Sequence, residues 1–428
     1  MISLLGICLI PLVAWLASSN RSAVNPRTVF GAFAIQATIG GFVLYVPAGQ
    51  AFVEVLAHGF SNLMGYSKAG IDFIFGGLVG ESIGFTFALN VLPVIVFFSS
   101  LITVLYYLGV MGWVVKLIGG FLQKVLGTSR PESLSAAANI FIGQTEAPLV
   151  VKPFIPQMTQ SELFAIMVGG LASIAGSVMA GYAGIGIDIK YLLAASFMAA
   201  PGGLMIAKIM MPESETPNDN IEDVEESEEA YVNMFDAAAA GALTGLQIAL
   251  AVGAMVLAFI ALIALLNGVL GWVTGLFGIE GLTIEILLGY MFQPVAWVLG
   301  VPWHEANVAG SFIGQKLVLN EFVAFFGFVE VMDTVSPRTQ AIITFALCGF
   351  ANFSSIAICL GGIVPLPLAR ADRPSVVRAT RCNLSPCERL TSRLLPRTLL
   401  SLKSQQHYFK TRRRPAICQS LHDIGLQY

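Results

Sequence analysis

The sequence predicts an all-α, polytopic membrane protein, and three observations carry that prediction. Of 428 residues, 56% are hydrophobic and only 11% are Asp, Glu, Lys or Arg, whereas a soluble domain carries about 25% charged residues. Mean hydropathy is +0.78. Residues 82–115 and 237–279 contain no charged side chain, and each run exceeds the ~20 apolar residues that cross a hydrocarbon core as a helix. A β-barrel would show ~10-residue segments of alternating polarity, and the chain has none.

The elements follow in order. Residues 2–19 form an apolar stretch with no basic residue before it, so the start does not read as a cleavable signal peptide. Arg21 and Arg27 follow, and the positive-inside rule keeps them cytoplasmic with Met1 outside. Further crossings are expected over 28–48, 83–109, 163–187, 191–211, 237–265, 281–300 and 340–363. Residues 50–80 mix Phe, Val and Leu with Glu54, His58, Lys68 and Asp72, the composition of an interfacial amphipathic helix. Residues 110–127 suggest a second one. The stretch 212–236 is aqueous, with nine acidic residues and no basic one between 213 and 229, and reads as a solvated linker. The six cysteines show no metal-ligand spacing and read as packing residues.

Two segments, 128–158 and 303–331, are too polar at their centres for simple crossings and too apolar for loops in water. Glu146 lies in NIFIGQTEAPLVVKPFIP (139–156) and Glu321 in LVLNEFVAFF (317–326). An ionisable group at bilayer depth costs at least ~2.5–3.5 kcal/mol, so it is kept where it faces a wet cavity, a partner or a substrate. Pro148, Pro153 and Pro156 interrupt the first segment, and each costs about 3 kcal/mol inside a regular helix. Both segments therefore read as re-entrant hairpins, whose exposed backbone survives only where protein or a water-filled cavity satisfies it.

A short repeat supports the pairing. Ser173-Ile174-Ala175 stands 27 residues after Glu146, and Ser355-Ile356-Ala357 stands 34 after Glu321. Small and polar residues at mid-length mark both following helices as discontinuous. Two hairpins and two broken helices at corresponding places form an inverted-repeat transport core with a site near the midplane. Structural roles compete at this point: Glu146 and Glu321 could pair with Lys152 and Lys316, Ser173 and Ser355 could serve helix packing, Asn352 could bond only to a broken helix, and Phe350 could be core. His304 beside Glu305 reads as structural. No Walker-type loop, zinc spacing or nucleophile elbow appears, so no enzyme is expected.

The motifs GQTEAPL (143–149), SIAGSVMAGYAG (173–184), AASFMAAPGGL (194–204), LNEFVAF (319–325) and GFANFSSIAICLGG (349–362), in this order, resemble the concentrative nucleoside transporter family. The resemblance runs from the first helix to about residue 363. It implies a homotrimer in the cell inner (plasma) membrane that moves nucleosides inward with a cation gradient by an elevator-like movement. On that basis residues 1–127 are scaffold and interfacial helices, 128–211 the first transport repeat, 212–236 the acidic loop, 237–302 further scaffold helices and 303–363 the second repeat. Gln144, Thr145 and Glu146 are expected to address the nucleobase, with Val178 lining its pocket. Glu321, Asn352 and Ser355 are expected at the ribose hydroxyls, with Phe350 packed nearby. Na+ is the expected coupling ion, held by Asn139, Ser173 and the carbonyls of Ile142 and Ile174; neutral oxygens suit such a hard cation. Proton coupling through Glu146 or Glu321, or a free nucleobase as the solute, are the alternatives. No nucleic-acid partner is expected.

Residues 364–428 depart from the family. They hold twelve Lys or Arg against three Asp or Glu, while the preceding 363 residues hold eleven against twenty-three. This tail reads as non-native, frameshift-like sequence, with a basic arm on anionic lipid or nucleic acid as the other reading. The family continues past residue 363 with a basic loop and one more spanning helix, and no apolar run here reaches that length. A transport-dead membrane protein is thus a further alternative.

Overall fold

The computed structural model describes residues 2–79, 86–144, 146–217, 231–278, 281–353 and 355–356, and among these there is no strand. Thr145, the centre of the acidic loop and the basic tail lie outside the described residues, as does the end of the expected 340–363 crossing.

The chain opens with α1 (Ile2–Leu16), α2 (Pro26–Tyr45) and α3 (Pro47–Phe75). A short α4 (Phe87–Asn90) runs into α5 (Leu92–Tyr107), and α6 (Val110–Leu126) follows. The stretches read as interfacial are therefore the helices α3 and α6. The start of α2 is set locally: Pro26 occupies the first turn and the Asn25 side chain accepts from the Arg27 amide. That turn also closes the far end of α6. The Arg27 guanidinium donates to the carbonyls of Lys124 (2.7 Å) and Val125 (3.3 Å), and the Thr28 hydroxyl donates to that of Leu126 (2.8 Å). The last carbonyls of a helix have no partner within it, so α2 supplies one.

The first hairpin consists of α7 (Arg130–Ala138), a tip over residues 139–146, the short α8 (Ala147–Val150) and a 3-10 turn (Lys152–Gln157). Then α9 (Gln160–Ala172) and α10 (Gly176–Gly184) form one span broken at residues 173–175, where Ser173 and Ala175 are extended. Both α7 and α9 start on a capping box, Ser129 with Glu132 and Thr159 with Glu162. The next helix, α11 (Ile189–Met210), brings Lys208 into contact with both starts. Its ammonium lies 2.7 Å from a Glu132 carboxylate oxygen, 2.8 Å from the Ser161 hydroxyl and 3.3 Å from Glu213. The Lys208 and Glu132 side chains are 7% and 1% exposed.

The helix α12 (Met234–Gly275) follows and packs on α5 through small residues. A Cβ on Gly245 would sit 2.7 Å from Ser99 Cβ and Val96 Cα, and the Ser100 hydroxyl donates to the Ala238 carbonyl at 2.8 Å. Gly241, Gly245 and Ala249 repeat every four residues on that face, the spacing that lets membrane helices approach closely. With 42 residues α12 is longer than the expected 237–265; at 1.5 Å per residue it spans about 63 Å, roughly twice a hydrocarbon core.

After it come α13 (Ile284–Leu299), the second hairpin formed by α14 (Trp303–Val318) and α15 (Glu321–Val331), and α16 (Pro337–Leu347). Hydropathy alone makes residues 281–300 a crossing of their own. Instead α13 has 16 residues and turns through 114° into α14, because Gly300 adopts φ +105° and Pro302 precedes the next helix. Likewise α1 has 15 residues, fewer than the expected 2–19. Among the described residues, five helices are long and apolar enough to cross a membrane: Pro26–Tyr45, Phe87–Tyr107, Gln160–Gly184, Ile189–Met210 and Met234–Gly275.

Two outcomes follow for stability. Lys208→Met strands the buried Glu132 carboxylate and is expected to destabilise the protein by about 3–5 kcal/mol, read as a lower thermal unfolding temperature in detergent. Adding Glu132→Leu to that variant removes the unpaired charge and is expected to recover most of the loss. Gly349 holds φ +139°, and a Cβ there would meet the Ala172 carbonyl oxygen at 2.9 Å. Gly349→Ala is expected to cost about 1–3 kcal/mol in the same assay.

Candidate functional site

The first hairpin tip and the two helix breaks meet through their backbones. At the first tip the Phe141 carbonyl accepts from Gly176 N at 2.8 Å, just past the first helix break. At the second break Phe350 N donates to the Ser173 carbonyl at 3.2 Å. Gly349 permits that approach, because its Cα lies directly against the end of α9 at Leu171 and Ala172. At the second tip the Asn320 side chain caps α15 by accepting from Val323 N at 2.9 Å. Each bond pairs a backbone group left over where a helix stops.

Around these junctions lies a cavity of about 430 Å³. Gln144, Glu146, Val178, Glu321, Phe350, Asn352 and Ser355 all line it, so seven of the eight residues expected at the solute share one enclosure. Thr145 lies outside the described residues. A larger cavity of about 700 Å³ between α1, α2 and α11 is lined almost wholly by apolar residues and glycine and has no charged side chain. It offers a polar solute little to bond, so size does not mark the site here.

The two carboxylates are held differently. Glu146 accepts from Gly143 N at 3.1 Å, within its own turn. Glu321, the first residue of α15 and 4% exposed, accepts from the Tyr182 hydroxyl at 3.2 Å and from the Asn352 side-chain amide at 2.8 Å. The Asn352 carbonyl oxygen in turn accepts from Ser355 N at 2.7 Å. Lys316 does not take Glu321 as an ion-pair partner; its ammonium donates to the Ala346 carbonyl at 2.7 Å, at the end of α16. Glu305 accepts from Ser336 N and Oγ at 3.1 and 2.8 Å, tying the start of α14 to that of α16, while the neighbouring His304 is 79% exposed. Glu305 thus ties the hairpin base, and His304 has no part in that tie.

The residues expected at the cation form a second group outside this cavity. Asn139, Ile142, Ser173 and Ile174 are all buried. The Ser173 hydroxyl donates to the Gly169 carbonyl at 3.0 Å, and Asn139 Nδ2 would lie 3.2 Å from a Cβ on the same glycine. Asn139 is 1% exposed, yet neither its side-chain oxygen nor its nitrogen has a hydrogen-bond partner. A buried amide without partners carries a penalty of about 1–3 kcal/mol, which an oxygen-seeking cation would offset. Among the described residues no cluster of His, Cys, Asp and Glu could hold a metal; the donors here are neutral oxygens.

Some lining residues lie outside the motifs that mark the site in the sequence. Thr244, Gln247, Ile248 and Met255 of α12 face the cavity opposite the hairpins. A signal exists, since Thr244 and Gln247 are the polar side chains between residues 237 and 266, three apart on one helix face. Tyr182, fully buried behind Glu321, stands inside the SIAGSVMAGYAG motif, where nothing local distinguishes it from a packing aromatic.

Comparison with known proteins identifies the family. Residues 5–78 match the model described as Na+ dependent nucleoside transporter N-terminus, 88–188 match nucleoside recognition, and 191–380 match Na+ dependent nucleoside transporter C-terminus. The nucleoside permease NupC of Helicobacter pylori is 48% identical over 381 residues, covering 86% of this chain and 90% of the relative. The mouse sodium/nucleoside cotransporter 1 is 37% identical over 394 residues, covering 88% of this chain and 60% of the relative. Among solved structures, CNTnw in an inward-facing substrate-bound state superposes with a TM-score of 0.84 at 54% identity, covering 90% of this chain and 93% of that one. The chain therefore belongs to the concentrative nucleoside transporter family, a family of membrane transporters and not of enzymes.

Proposed function

We propose that this chain imports nucleosides across the inner membrane, driven by a Na+ gradient. The observation that carries the reading is the setting of Glu321: a buried carboxylate held by two neutral donors, facing one cavity with Glu146 and Gln144. A nucleoside is uncharged, with donors and acceptors on a flat base and hydroxyls on the sugar. Gln144, Thr145 and Glu146 address the base edge, and Val178 lines its pocket. Glu321, Asn352 and Ser355 take the ribose hydroxyls, and Phe350 packs against the sugar. Ionised acceptors bond such groups about twice as strongly as neutral ones, and a site built for a hydroxyl rejects analogues that lack it.

Na+ binds at Asn139 and Ser173 with the carbonyls of Ile142 and Ile174. The partnerless Asn139 amide supports this assignment, as does the use of unwound carbonyls as cation ligands in transporters with broken helices. The relatives described as sodium-dependent agree with it. The hairpins and broken helices move together as an elevator past α5 and α12 within a homotrimer.

Uridine uptake into proteoliposomes tests both parts. An inward Na+ gradient is expected to drive uptake, and Glu321→Gln to reduce it at least about a hundredfold, the scale of losing charge-assisted bonds. Uptake driven by a proton gradient alone would sink the sodium assignment while keeping the nucleoside. Asn139→Ala is expected to raise the Na+ concentration for half-maximal uptake about tenfold or more, with a much smaller effect on uridine KM at saturating Na+. An unchanged Na+ dependence would remove Asn139 from the ion site.

A further inference from the structure

We infer that Tyr182 is a positioning residue that turns the Glu321 carboxylate into a two-oxygen acceptor for the vicinal hydroxyls of ribose, and so sets the preference for ribonucleosides over deoxy analogues. The inference rests on the reading of Glu321 as the ribose-binding group.

The geometry supplies the argument. An ionised carboxylate offers about four lone-pair positions on two oxygens. Tyr182 takes one on Oε1 at 3.2 Å, and Asn352 takes one on Oε2 at 2.8 Å. Each oxygen is thus fixed by an anchor of its own; the Glu321 main-chain amide also bonds to the carboxylate, which still keeps accepting capacity toward the cavity. With Asn352 alone, the carboxylate could rotate about its last bond and present a single oxygen. Two adjacent hydroxyls are the donor pair that matches two fixed oxygens.

Tyr182 is built to hold this position. It is fully buried and stays off the cavity lining, so it approaches Glu321 from the protein side. Its ring centroid lies 4.6 Å from those of both Phe322 and Phe325, which belong to the same helix as Glu321. Its backbone belongs to α10, where Val178 one turn earlier lines the cavity. The residue therefore ties the helix bearing the expected base pocket to the hairpin bearing the expected ribose acceptor.

The test compares Tyr182→Phe with the parent chain in proteoliposomes under a Na+ gradient, measuring KM for uridine and for 3′-deoxyuridine. The substitution keeps the ring and removes one hydroxyl. KM for uridine is expected to rise about tenfold, the scale of a hydrogen bond to a charged group, while that for 3′-deoxyuridine changes less than about twofold. A parallel rise in both would assign Tyr182 to packing and overturn the inference, as would no change in either. If Tyr182→Phe does not fold, 3-fluorotyrosine placed at 182 by site-specific incorporation gives a stronger donor. It is expected to widen the preference for uridine, and an unchanged ratio overturns the inference. Glu321→Gln runs beside both. Full uridine uptake with an intact 3′-hydroxyl preference in that variant defeats the ribose reading itself. A loss there with a silent Tyr182→Phe defeats the Tyr182 inference alone.

Discussion

Backbone polar groups have no water to turn to inside a bilayer, and this chain interrupts its helices there. Every interruption must find a partner within the protein, and the breaks find each other. Phe141 and Gly176, then Ser173 and Phe350, join the first tip and the two helix breaks through main-chain bonds, while the Asn320 side chain caps α15 and that of Asn352 accepts from Ser355 N. The polar side chains of the site stand at or next to these junctions. Cavity-lining polar groups and structural compensation thus share the same few residues, which is why the cavity sits where the secondary structure stops.

The protein treats its buried charges in two ways. At the entry to the first hairpin, Glu132 meets Lys208 at 2.7 Å, and that ion pair fastens three helix ends. At the cavity, Glu321 receives hydrogen bonds from the neutral Tyr182 and Asn352, while the Lys316 ammonium bonds to the Ala346 carbonyl instead. An ion pair would consume the carboxylate's accepting capacity. Neutral anchors orient it and leave capacity for a solute. The same side chain type is a fastener in one setting and a cavity-facing acceptor in the other, according to what approaches it.

The helix α12 serves both sides of this arrangement. One face carries Gly241, Gly245 and Ala249 against α5, and the adjacent face carries Thr244, Gln247 and Ile248 to the cavity. Close packing on the first face fixes the distance at which the second meets the hairpins. The wall opposite Glu146 and Glu321 is therefore positioned by glycines that never touch the solute space.

The membrane class, most helices and the two hairpins were legible in the sequence, because hydropathy over ~20 residues and carboxylates at bilayer depth are local properties. The motifs around Glu146, Ser173, Glu321 and Asn352 also marked the family and most of the cavity lining before any coordinates. Tertiary structure decided what depends on contacts between distant segments. The 114° turn between α13 and α14 follows from a left-handed glycine two residues before a proline, a strong local cue whose consequence depends on what the two helices pack against. The bond of Lys316 to Ala346 and the bond from Tyr182 across 139 residues have no local signature, and the polar pair Thr244 and Gln247 stands out in α12 without indicating what it faces. Hydropathy reports how deep a residue can sit, and only the packed fold determines which neighbour it meets there.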